Sequence, residues 1–218
     1  MPGAAVFRLE TINESGLSGA ESESRLKGRD LSKLQNELAK IHDAIIDVGV
    51  SNVEPFVYAL NAQYEAHLDI DFFVVPIKAN AHSQIEMAEA VKSLRMLSEI
   101  GIEPERIKVV FNMLPAGGDV KDECKVIFNM HKKEPIFTLN EKAVIHESEA
   151  FSALASVGKS YLEMLSDTTQ YRAELAKIPL ENEKARVAIV RMMRAQGTTI
   201  VMEREMSACW TALFGDGV

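Results

Sequence analysis

Two short stretches place residue types at spacings that could handle a phosphate or a metal ion. The run Ala153 to Ser160 reads ALASVGKS, a small residue and four free positions before Gly158-Lys159-Ser160, the loose form of a phosphate-binding loop. In a working loop of this kind, backbone N–H groups and the lysine cradle the anion while the hydroxyl reaches Mg²⁺. The second stretch is Asp47-Val48-Gly49, which follows the apolar Ala44-Ile45-Ile46. An acid leaving a strand can hold a water in the shell of Mg²⁺, and a glycine two residues later lets a backbone N–H approach a phosphate. The same acid can instead cap the helix that follows. Asn112, after Val109-Val110-Phe111, puts an amide where it could read the edge of a base or form a turn.

The surroundings of ALASVGKS argue against a phosphate loop. Such a loop needs a buried strand before it, glycines that turn the backbone around the anion, and a helix whose N-terminus faces it. Ala153 stands in place of the first glycine, Gly158 is the only glycine of the stretch, and Val144, Ile145, Phe151, Leu154 and Val157 follow a broadly helical pattern. Gly158 therefore reads as a helix C-cap, with Lys159 a cation near the negative end of the dipole. The five histidines show no pair at metal-ligand spacing, and no G-x-S-x-G nucleophile elbow occurs. Cys124 and Cys209, far apart, read as packing residues.

The elements that must position these residues alternate. Apolar runs at Ala4 to Leu9, Ala44 to Gly49, Asp71 to Ile77 and Ile107 to Asn112 predict strands, with a weaker one at Pro135 to Leu139. Between them, Arg29 to Leu38 with Asp30 as cap, Val53 to Ala66, Ser83 to Ile100 stopped by Gly101, and Asp119 to Met130 have helical periodicity. The polar stretch Asn13 to Glu23 reads as a loop. Continuous apolar strands between helices call for a mostly parallel sheet covered on both faces, an α/β doubly wound fold whose chemistry sits beyond the strands' C-terminal ends. From Tyr161 onward the pattern turns helical, with segments to Ile178, over Leu180 to Gln196 and over Met202 to Phe214; Trp210 reads as a packing anchor.

Composition agrees with an ordinary globular chain: 47% hydrophobic and 26% charged residues can bury a core. The formal charge of −8 argues against broad phosphate-tracking nucleic-acid binding, and the basic cluster His131-Lys132-Lys133 reads first as a solvated face. No run approaches a membrane span and no signal core opens the chain, so a cytoplasmic protein is expected.

Asp43-Ala44-Ile45-Ile46-Asp47-Val48-Gly49-Val50-Ser51-Asn52, Phe73-Val74-Val75-Pro76, and Leu97-Ser98-Glu99-Ile100-Gly101-Ile102 leading to Lys108-Val109-Val110-Phe111-Asn112 resemble, in order and spacing, the ParA/MinD group of deviant Walker-A ATPases. The likeness looks closest to plasmid stability proteins of the StbB type. Phe7 to Asn13 and Ala143 to Phe151 are similar to further parts of that branch, so the resemblance covers roughly Ala4 to Leu165.

The resemblance implies a nucleotide-dependent, dimerising switch in plasmid partition or stability, with ATP and Mg²⁺ as ligands and partition proteins or DNA as partners. Asp47 would be the Mg²⁺-proximal acid, acting through water, and Gly49 the switch glycine. Asn112 would contact adenine, and the backbone at Pro76 and Ile77 would lie near the nucleotide or the dimer face. Lys159, Arg172 and Lys177 would be basic side chains on late helices, offered to DNA or a partner. The family's first strand and its glycine-rich loop would precede Val6-Phe7-Arg8-Leu9, and this chain starts just upstream of that segment. No ATP hydrolysis is therefore expected of it. The expected organisation is an N-terminally incomplete ParA-like domain over 1–165 and a helical extension over 166–218. Two readings stay open: a partition ATPase whose start lies further upstream, or a non-hydrolysing adaptor built on the same fold.

Overall fold

The computed structural model describes residues 4–9, 24–26, 31–79 and 84–215. The loop expected at Asn13 to Glu23 and the cap expected at Asp30 lie outside them. The chain forms two compact units. The first comprises Met1–Val75, Ala88–Lys108 and Met130–Thr138, and the second Pro76–Met87, Val109–Asn129 and Leu139–Val218.

All described strand pairings are parallel, and they build two small sheets. Strand β1 (Ala5–Leu9) sits between β2 (Ser24–Leu26) and β3 (Ala44–Val48), giving the order β2-β1-β3. Arg8 stands opposite Asp47 in the β1–β3 register. The other sheet has the order β4-β5-β6, with β4 at Phe73–Lys78, β5 at Ile107–Leu114 and β6 at Val144–His146.

The helices are short except two. They are α1 (Leu31–Leu38), α2 (Val53–Ala62), α3 (Gln84–Glu99), α4 (Val120–Glu123), α5 (Lys125–Lys133), α6 (Ala150–Val157), α7 (Tyr161–Leu165), α8 (Tyr171–Lys177) and α9 (Glu183–Phe214). Gly101, at φ 87°, stops α3 as expected, because a left-handed residue cannot continue the helix. Asp119 caps α4 by accepting from the Lys121 and Asp122 N–H groups.

Several expected elements take another form. Pro135 to Leu139 is no strand: Thr138 makes one isolated bridge to Lys108, and Pro135 has no N–H to extend it. The strand that flanks β5 on the side away from β4 is β6, three residues inside a stretch with helical periodicity. The helix expected over Tyr161 to Ile178 breaks into α7 and α8, and those expected over Leu180 to Gln196 and Met202 to Phe214 are one 32-residue helix.

Burial also departs from strands covered on both faces. In β3, Ile45 and Asp47 are exposed, and in β4 exposed Val74 and Pro76 alternate with buried Val75 and Ile77. Both are end strands of their sheets, where alternation is the usual pattern when one face meets solvent. The central strand β5 is closer to expectation, with Ile107, Val109, Phe111 and Leu114 buried.

In the first unit Phe7, Leu9, Leu31, Leu34, Phe56, Val57 and Leu60 are buried. In the second, α9 packs against α6, α7, α8 and β6. Ala153, Leu154, Met164 and Ala195 form one apolar cluster there, and Val110, Ala143 and Cys209 another. Both cysteines are free and buried, as expected of packing residues. Trp210 is 36% exposed and lies against Phe214, ring centroids 4.4 Å apart.

Candidate functional site

The ends of the parallel strands hold the residues expected to do chemistry. Asp47 and Gly49 belong to the first unit, and Pro76, Ile77 and Asn112 to the second. Asp47 leaves β3 with its side chain 64% exposed, and its Oδ2 lies 3.7 Å from Nε of Arg8, its neighbour across the register. It caps no helix: the turn at Val50–Asn52 starts from Gly49 without a side-chain cap. A lone exposed carboxylate suits an outer-shell role toward a metal whose inner ligands come from elsewhere. Among the described residues no group of three or more His, Cys, Asp or Glu could hold a metal ion by itself.

Gly49 is committed to the sheet. Its N–H donates to the Leu9 carbonyl at 3.0 Å, and a Cβ at this position would come within 3.3 Å of that oxygen. The glycine thus allows two strand ends to close on each other, and its N–H is directed at Leu9 rather than at a ligand.

Asn112 sits near the end of β5 just before an irregularity. The pairing with β6 shifts register between Asn112 and Leu114, and Met113 adopts φ 57°. A left-handed methionine in a strand is strained. The Asn112 carbonyl accepts from Ala79 N–H at 2.7 Å, while its side-chain amide makes no hydrogen bond among the described residues. Pro76 is exposed in β4, and the Ile77 side chain is fully buried, so of this pair only Pro76 offers side-chain surface. Nearby, Lys78 donates to Glu86 at 3.3 Å. The Glu86 carboxyl lies below its usual range through its backbone hydrogen bond and Lys78.

The residues of ALASVGKS build a helix junction. Gly158, at φ 66°, is the left-handed C-cap of α6, and its N–H bonds back into that helix. Ser160 caps α7: its Oγ accepts from Glu163 N–H at 3.3 Å while the Glu163 carboxylate accepts from Ser160 N–H at 2.7 Å, a reciprocal capping box. Lys159 donates to Asp167, whose carboxylate also accepts from Tyr171 Oη at 2.6 Å and Thr169 N–H at 2.9 Å. The Lys159 ammonium first, then the groups of Thr169 and Tyr171, hold the Asp167 carboxyl far below its usual range. Gln196 of α9 donates to the Asp167 and Thr169 carbonyls at 2.8 and 3.2 Å, tying this loop to the long helix. The C-cap reading of Gly158 therefore holds, and the lysine serves an ion pair.

Of the other basic residues singled out, Lys177 pairs with Glu174 at 2.7 Å and Arg172 is exposed on α8. One arrangement had no sequence signal: Glu205 of α9 accepts from the His146 N–H at 3.3 Å and also meets Nδ1 of the same residue, 59 positions away. Tyr161 likewise donates to Glu203 of α9, and burial together with that carboxylate pushes its hydroxyl up to about 12.

Family models, curated proteins and solved structures contain no match to the chain. Among the described residues no helix is long and apolar enough to cross a membrane.

Proposed function

We propose that the chain works in plasmid partition or stability as a ParA-like module, part of a nucleotide-dependent, dimerising switch. Its two parallel sheets would belong to a doubly wound fold. The observation that carries this reading is Asp47, an exposed carboxylate at the C-terminal exit of a parallel strand, where open α/β sheets bind their ligands. Asn112, whose amide makes no hydrogen bond among the described residues, would contact adenine, and Asp47 would hold a water of the Mg²⁺ shell. The triphosphate fits less well, because the Gly49 N–H is spent on Leu9 and Lys159 on Asp167. No hydrolytic step is assigned to the described residues. That mismatch favours, as a second reading, a non-hydrolysing adaptor that docks partition proteins without nucleotide.

Titration of the purified chain with a fluorescent ATP analogue, with and without Mg²⁺, separates the two. The switch reading expects weak Mg²⁺-dependent binding that Asp47→Ala and Asn112→Ala each reduce, with no turnover. Absence of binding at millimolar nucleotide, together with unimpaired plasmid retention by Asp47→Ala in cells, leaves the adaptor. ATP turnover abolished by Lys159→Ala overturns both the proposed site and the assignment of that lysine.

A further inference from the structure

The two sheets have four end strands, and three of them are protected. β2 is only three residues long. β6 is covered by α9: alternation along β6 turns the His146 N–H away from β5, and Glu205 accepts it at 3.3 Å. In β4, Ala79 N–H reaches Asn112 of β5, so alternation turns residue 76 outward; that residue is proline and offers no donor. Short strands, prolines and covering helices are the usual ways in which a sheet avoids adding another chain.

Among the described residues β3 has none of these. Asp43 O and Gly49 N bond toward β1, so the N–H and C=O groups of Ala44, Ile46 and Val48 point away from it, and no described strand pairs with them. Beside this edge Ile45 is 48% exposed and Val50 80%. The edge is also complementary to itself. In an antiparallel pairing about a two-fold axis at Ile46, Ile46 faces its own copy and Ala44 faces Val48, so every outward N–H meets a carbonyl. On the exposed face the same register sets Asp47 opposite Ile45 of the second copy. It avoids placing two aspartates directly opposite, and Arg8 already lies beside each Asp47. A pairing shifted by two residues would bring two aspartates face to face or leave outward groups unpaired. The contact is isologous and closed.

We propose that β3 pairs antiparallel with β3 of a second copy, joining two β2-β1-β3 sheets into one, and that this dimer forms without nucleotide. The proposal goes beyond the nucleotide switch and does not depend on it. Sedimentation equilibrium of the full chain in nucleotide-free buffer tests it, with two variants. Ala44→Pro removes one outward N–H at the first residue of the strand, where proline is tolerated, and Ile45→Lys places a charge on the exposed face. The expected result is a dimer whose Kd rises about tenfold or more in each variant, with circular dichroism unchanged. Amide exchange should slow at Ile46 as protein concentration rises, while the Ile45 amide, which faces β1, does not respond. A wild-type chain that is monomeric at about 100 µM overturns the proposal. So does a dimer that neither variant weakens, or an Ile46 amide already protected in the monomer, which would mean that another segment of the same chain occupies the edge.

Discussion

The N–H of Gly49 donates to the carbonyl of Leu9 across 3.0 Å, joining the exit of β3 to the exit of β1. The residue two positions after the candidate metal acid is thus a structural hinge pin between two strands.

Substitution of Gly49 should therefore be felt as stability. Its φ of −59° suits any residue, but an alanine Cβ would stand 3.3 Å from the Leu9 oxygen, so the strand ends must part by a few tenths of an ångström. Gly49→Ala is expected to destabilise by about 1 kcal/mol, read from urea midpoints, and to leave nucleotide affinity unchanged. Loss of nucleotide binding without loss of stability would assign Gly49 to the ligand.

The Asp167 cluster predicts a pH dependence. A carboxylate whose native value is depressed contributes stability that is complete above its unfolded value of about 4 and vanishes as pH falls toward the native one. The stability difference between wild type and Asp167→Asn should be largest near neutrality and shrink below about pH 4. Lys159→Ala should reproduce the neutral-pH loss, because its ammonium is the first cause of the depression. A difference that stays constant from pH 7 to pH 2 would refute this assignment.

The thiols should be inert in the native chain. Burial pushes the Cys124 thiol up to about 11, and Cys209 is raised for the same reason. Both side chains are nearly inaccessible, at 0% and 3% exposure. Ellman's reagent should titrate both only after denaturation; rapid labelling of either in native buffer would show the site open.

A stabilising change is available in α9. Gly197 lies inside this helix, and a Cβ there would meet nothing within 4 Å. Gly197→Ala should raise stability by roughly 0.5–1 kcal/mol through lost unfolded-chain freedom, seen as a higher melting temperature.

Much of this was legible in the sequence where a signal is local. Apolar runs located β1, β3, β4 and β5, and Gly101 and Gly158 marked helix ends because a left-handed residue is a local event. Asp47 stood out as an acid leaving a strand, yet its pairing with Arg8 depends on a register between strands that no local pattern encodes. β6 was hidden because Val144-Ile145-His146 is short and lies within helical periodicity, and its partner Glu205 is contributed by a helix far along the chain. The continuity of α9 was hidden by Gly197-Thr198-Thr199, poor helix formers that packing overrides: Thr199 is fully buried and its hydroxyl donates to the Ala195 carbonyl at 2.8 Å.

The order in which α9 arrives matters for biosynthesis. This helix, about 48 Å long at 1.5 Å per residue, follows every element it covers in the chain. While a ribosome is still making it, α6, α7 and α8 lack the face of α9 on which they pack, and the outward N–H of His146 lacks Glu205 as its acceptor. The second unit must therefore wait for residues 183–214 to be made before it can mature, and a stall within them would leave a nascent chain with an open strand edge for chaperones to shield.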